Sequence, residues 1–198
     1  MLGASSGPWI IYESACQLGG LCFTSGAGVS KEQLDSLRQF APTVLVASPN
    51  ELFKLARFAK ENRIDPATFG IRKIISFGKE GWNFVAIRQH AREIWNAPAF
   101  DRYGMTEAGS IAGECQACPG GMHLLESEFI AEVIDPRTTQ PVRNCEVGEL
   151  VLTNLGRISR PIVRYRTGDL VRLMRHQHCA CGCKEALLLG GVTRQSFA

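Results

Sequence analysis

Short apolar runs alternate with amphipathic helical patterns through the first hundred residues, and this alternation restricts the fold more than any other feature. Val44 to Ala47 and Arg72 to Phe77 are too short for buried helices and read as strands of a parallel sheet. Around them lie four helical patterns. Trp9 to Leu18 is moderately apolar. Ser30 caps the next pattern, with Gln33 placed as its capping-box partner, and Leu34, Leu37, Phe40 and Ala41 recur along it until Pro42. Ser48-Pro49 opens a third, carrying Leu52, Leu55, Ala56 and Ala59 on one face. Phe84 to Trp95 forms the fourth, with Phe84, Ile87, Ala91, Ile94 and Trp95 turned inward. Leu21 to Ser25 reads as one more short strand, and Asp65-Pro66 as a turn. Helix and strand in turn make βαβ units, hence an α/β fold.

The second half differs. Phe129 to Ile134, Gly148 to Asn154 and Ile162 to Met174 read as strands with little helix between them, which predicts a smaller, mostly antiparallel, barrel-like or curled β-subdomain. The expected division is residues 1–113, a βαβ subdomain incomplete at its N-terminus, and 114–198.

Composition narrows the function classes. The chain of 198 residues is 45% hydrophobic and 21% charged with a net charge of +3, as a soluble globular protein would be. Its basic residues form no run of five, which argues against nucleic acid as a partner. No apolar stretch approaches the ~20 residues of a membrane span. The first residues lack the charged start and apolar core of a signal peptide, so a cytoplasmic location is expected.

Two stretches offer chemistry. Tyr103-Gly104-Met105-Thr106-Glu107 follows a short apolar run and precedes the small-residue loop Ala108 to Gly113. It presents an aromatic face, a glycine that lets backbone approach, a hydroxyl for a phosphate oxygen and a carboxylate for Mg²⁺. A strand-to-helix turn with a capping Thr fits the pentapeptide equally well. Arg164-Tyr165-Arg166-Thr167-Gly168-Asp169-Leu170 places an Asp after Gly, suited to a vicinal diol, beside guanidinium charge suited to an anion. A tight turn with surface arginines is the alternative for this heptapeptide. His90 lies on a helical pattern and reads as structural, and no Ser or Cys occupies a nucleophile elbow.

The eight cysteines are not distributed as a disulfide framework. Cys16, Cys22 and Cys145 are isolated, whereas Cys115 pairs with Cys118, and Cys179, Cys181 and Cys183 form a second group. Such clustering points to metal before disulfide, and with His123 the two groups supply thiolate and imidazole ligands for a tetrahedral Zn²⁺ site.

The order of these motifs, with Gly148-Glu149-Leu150-Val151-Leu152-Thr153 between them, resembles the adenylate-forming superfamily of acyl-CoA synthetases. Gly121-Met122-His123, Val133-Ile134-Asp135-Pro136 and Pro161-Ile162-Val163-Arg164-Tyr165 are most similar to its phenylacetate-CoA ligase family. The resemblance runs from about Trp9 to near the end. It implies that Tyr103 and Gly104 flank the adenine, Thr106 bonds the α-phosphate, Glu107 holds Mg²⁺, and Asp169 grips the ribose with Arg166 nearby. Gly78 to Gly81 stands where the family has an adenine-binding turn. Glu80 is kept there and the usual proline is not. Arg194 is placed as the hinge arginine, without the hinge Asp.

The resemblance further implies ATP or AMP, Mg²⁺ and coenzyme A as ligands, and a carboxylic acid, aromatic in this family, as substrate. Phe77, Trp82 and Ile111 are the expected walls for that acid. A structural zinc is implied at one of Cys115/Cys118 with His123, Cys179 and Cys181, leaving Cys183 spare. The family's upstream phosphate loop and downstream Lys-bearing domain have no counterpart, so the chain is expected to be an internal portion that does not turn over alone. Two alternatives stand: an adenylate-forming enzyme with an acceptor other than CoA, and a catalytically silent, zinc-stapled binding module. A homodimer is compatible with each.

Overall fold

The computed structural model describes residues 6–24, 28–77, 85–156, 158, 160–175 and 179–194. The chain divides into two compact units, Met1–Asp101 and Arg102–Ala198. The division falls ahead of the 113/114 position suggested by the sequence, so all of the Tyr103 to Glu107 segment belongs to the second unit.

The first unit contains α1 (Ser6–Gln17), α2 (Lys31–Phe40), β1 (Val44–Ala47), α3 (Pro49–Glu61), a 3₁₀ turn (Pro66–Phe69), β2 (Lys73–Phe77) and α4 (Val85–Trp95), and it reaches the start of β3 (Ala99–Met105). β1 and β2 pair in parallel, Val44 opposite Lys73, and Ile74 N donates to Pro98 O just before β3. Ser30 Oγ accepts from Gln33 N, and α2 ends where Ala41 turns left-handed ahead of Pro42. The full reciprocal capping box belongs to α3. There Glu51 Oε2 accepts from Ser48 N at 3.0 Å while Ser48 Oγ accepts from Glu51 N. Leu52, Leu55, Ala56 and Ala59 of α3 are buried with Leu34, Leu37, Ile74, Ala91 and Trp95. His90 stacks on Phe53, ring centroids 5.5 Å apart. Residues 21–24 are not a strand. Leu21 is 95% exposed, because an apolar run without a pairing partner has nothing to hold it extended. No helix among the described residues is long and apolar enough to cross a membrane.

The second unit is an antiparallel sheet. It takes in the end of β3, β4 (Gly109–Glu114), β5 (Gly121–Leu124), β6 (Phe129–Ile134), β7 (Val147–Asn154), β8 (Tyr165–Met174) and β9 (Leu187–Arg194). The spatial order is β3-β4-β5-β9-β8-β7-β6. β9, last in sequence, lies between β5 and β8. β6 and β7 match the expected strands closely. β8 starts later than expected, since Ile162 N is taken by Asn154 Oδ1 and Arg164 adopts a positive φ of 47°. β4, expected as a loop, is a strand, and β5 and β9 are strands that the pattern did not indicate. Ile111, Leu124, Leu150, Leu152 and Leu188 are fully buried in this core. Ile111, expected at a pocket wall, is therefore core instead.

Candidate functional site

β3 and β4 form a hairpin closed by residues 106–108, with Met105 opposite Gly109. The pentapeptide thus ends a strand and enters a β-turn, which disposes of the strand-to-helix alternative. The register slips between Tyr103 and Gly104. Gly104 is required there because a Cβ would lie 2.5 Å from Gly109 O. Thr106 and Glu107 are exposed on the turn, available to a ligand arriving from solvent.

Across the same unit, Tyr103 Oη donates to Asp169 Oδ2 at 2.7 Å, although 66 residues separate them. The aromatic residue of the first motif and the carboxylate of the second are therefore direct neighbours, both half-buried. Among the described residues, the other Asp169 oxygen accepts no hydrogen bond, so it can still receive a donor such as a sugar hydroxyl.

The bend carrying Asp169 has a defined cause. Gly168 has φ +71°, and the β7–β8 register slips beside it. Thr167 Oγ1 donates to Leu150 O at 2.8 Å and accepts from Asp169 N at 3.1 Å. Glu149, with only 1% of its surface exposed, accepts from Gly168 N at 3.2 Å and from Arg166 Nε at 2.9 Å. Arg166 Nη2 also reaches Glu149 and donates to Pro136 O. The Arg166 guanidinium, expected near phosphate, is thus already engaged by a buried carboxylate. Sequence reasoning assigned Glu149 no role, and its position immediately before the apolar run Leu150 to Leu152 gave no sign of one.

Arg194 stands opposite Asp169 in the β8–β9 register, so the backbone of the expected hinge lies beside the ribose candidate. The Arg194 side chain, Gly78, Glu80 and Trp82 lie outside the described residues.

The cysteine groups converge. Cys115 follows β4, His123 is on β5, and Cys179 and Cys181 precede β9. The ligand atoms of these four residues all lie within 4.8 Å of one another. Cys115 Sγ is 3.6 Å from Cys179 Sγ, and Cys181 Sγ is 3.3 Å from His123 Nε2. Four ligands on a tetrahedral zinc, with Zn–S near 2.3 Å, stand about 3.5–3.8 Å apart, so the donor set and its spacing fit that ion. His123 is buried with Nε2 turned to the Cys181 sulfur, and among the described residues its Nδ1 has no hydrogen-bond partner. Desolvation pushes the Cys115 thiol up to about 11, while the backbone N–H of Cys181 draws Cys179 down to about 7. Cys118 and Cys183 are outside the group of four. A Cβ on Gly121 would meet Cys118 Sγ at 2.6 Å, and Cys183 Sγ donates to Glu185 Oε2 at 3.4 Å.

No family model matches the chain. The phenylacetate-coenzyme A ligase of Pseudomonas putida is 32% identical over 160 residues, which are 80% of this chain and 36% of that protein. The phenylacetate-coenzyme A ligase of Thermus thermophilus is 29% identical over 182 residues, 91% of this chain and 40% of that protein. The chain therefore spans two fifths or less of the length of these curated relatives. Among solved structures, an open conformation of 2-hydroxyisobutyryl-CoA ligase, in complex with 2-HIB-AMP and CoA, superposes with a TM-score of 0.91. That match covers 98% of this chain and 43% of the other at 24% identity, and it establishes the fold. The chain is a homologue of the phenylacetate-CoA ligases, built on the fold of the adenylate-forming enzymes.

Proposed function

We propose that this chain is the nucleotide-binding portion of an ATP-dependent acyl-CoA ligase acting on a small carboxylic acid, aromatic as in phenylacetate. The observation that carries the reading is the 2.7 Å contact between Tyr103 and Asp169, which draws two distant motifs into one place suited to an adenosine. Homology to phenylacetate-CoA ligases supports the reaction class.

In this reading the Tyr103 ring flanks the adenine and Gly104 admits it against backbone. Asp169 accepts from the ribose hydroxyls. The exposed Thr106 hydroxyl donates to an α-phosphate oxygen, and Glu107 holds the Mg²⁺ that offsets phosphate charge. The substrate carboxylate oxygen attacks the α-phosphorus, forming an acyl-adenylate as pyrophosphate leaves. The sulfur of coenzyme A then attacks the acyl carbon, forming the thioester as AMP leaves. Zn²⁺ held by Cys115, His123, Cys179 and Cys181 would be structural, joining the β4–β5 segment to the approach to β9. Free thiols at such a site suit a reducing compartment such as the cytoplasm.

Calorimetric titration of the chain with AMP and with Mg·ATP tests this. Saturable binding that Asp169→Ala weakens at least about tenfold is expected, the loss of one charge-assisted contact being worth that much. Absence of binding to the unaltered chain, or equal binding by the variant, overturns the reading.

A further inference from the structure

We infer that Glu149 is a positioning residue that aims the Asp169 carboxylate at a ribose, an inference that rests on the nucleotide reading above. The Glu149 side chain pairs with Arg166 and with the Gly168 amide, not with the Asp169 carboxylate itself. Its side chain is almost wholly shielded from water, and a carboxylate in such a place is costly unless its oxygens are satisfied. Here both are satisfied, and by groups on either side of one bend. Oε2 takes the Arg166 guanidinium and Oε1 takes the Gly168 N–H, the amide immediately before Asp169. Gly168 sits at positive φ in the β7–β8 register slip, a conformation that regular pairing would not maintain. Thr167 secures the opposite side of the bend through Leu150 O and Asp169 N. The product of this bracing is the placement of Asp169 against the Tyr103 hydroxyl. An apolar residue at position 149 could fill the same core space but could not grip the bend. Burying a charge there is what fixes the direction of Asp169.

The test compares AMP with 2′,3′-dideoxy-AMP on the unaltered chain and on Glu149→Gln, which keeps size and removes charge. Positioning predicts that Glu149→Gln lowers AMP affinity about tenfold while leaving the dideoxy compound's affinity unchanged, so that the ratio falls to that of Asp169→Ala. Equal loss for both compounds, or loss for neither, overturns the inference. Amide hydrogen exchange without ligand gives an independent readout. Exchange at Gly168 and Asp169 should quicken in Glu149→Gln, while Ala131 and Val133 on β6 stay as they were. Unchanged exchange at Gly168 and Asp169 overturns the positioning role even if nucleotide binds. If the unaltered chain binds neither compound, the nucleotide reading fails, and the exchange result still decides whether Glu149 holds the bend. Should Glu149→Gln not fold, Arg166→Lys, which keeps charge but loses the two-pronged grip, is expected to show the same ratio change in weaker form. An unchanged ratio in that variant counts against the inference.

Discussion

The sulfur of Cys115 lies 3.6 Å from that of Cys179, across 64 residues of chain. Two strands, β5 and β9, are brought to the same point by the turns that carry these thiols, and they pair directly, His123 opposite Leu187. Purified chain is expected to contain one zinc, read by elemental analysis. Cys179→Ser should lose it, and Cys183→Ser should keep it because that thiol is turned to Glu185. Chelation should destabilise the second unit by at least about 2 kcal/mol, or roughly 8–16 °C in a melt of a unit this size. Metal-free protein whose melting is indifferent to chelator would end the zinc proposal.

Removing the Tyr103 hydroxyl tests the aromatic partner. Tyr103→Phe keeps the ring for stacking and deletes the donor to Asp169. AMP affinity should fall less than in Asp169→Ala, by roughly three- to tenfold, because the lost bond orients the carboxylate rather than touching the ligand and is worth about 1 kcal/mol. Titration calorimetry of the two variants side by side reads this order, and a reversed order would contradict the assignment.

Gly104 and Gly113 lie on the same hairpin and should respond differently to a methyl group. A Cβ at Gly104 meets Gly109 O at 2.5 Å, whereas one at Gly113 has nothing within 4 Å. Gly104→Ala is expected to cost about 2 kcal/mol or more, because backbone must shift to make room. Gly113→Ala should be within about 0.5 kcal/mol of the unaltered chain in thermal unfolding.

Acid sensitivity has one local source in the Asp135 turn. The Thr138 and Arg137 N–H groups bond its carboxylate and hold it below the usual range. A depressed folded value means that the stabilisation is present above the ordinary carboxylate pKa and is lost as pH falls through the lowered one. The melting difference between the unaltered chain and Asp135→Asn should therefore be largest near neutrality and shrink towards about pH 2. A difference that does not change with pH would exclude this origin.

What the sequence revealed follows from which forces shape each element. α3 and β6 were legible because local periodicity and burial agree there: every third or fourth residue of α3 is core. β4 was not, since Gly-Ser-Ile-Ala-Gly-Glu has the composition of a loop and becomes a strand only through pairing with β3 and β5. β9 was not legible because it contains Gly190 and Gly191, both at positive φ and of a residue type depleted from strands, yet it pairs with β5 and β8. Leu21 shows the converse, an apolar run without a partner. In the site, Tyr103 and Asp169 could be named from residue type alone. Their contact, the choice of Cys115 over Cys118 and the use of Glu149 depend on turns and register slips that no local pattern encodes.

The insertion of β9 between β5 and β8 has a consequence for synthesis. A ribosome releases residues 187–194 after every other strand of the sheet has emerged, so both neighbours wait with open edges for a late arrival. Until then two rows of unpaired amides are exposed to any passing β-strand. Nascent chains cut off before Leu187 should consequently be chaperone clients and aggregate, while a chain extended only eight residues further closes the gap.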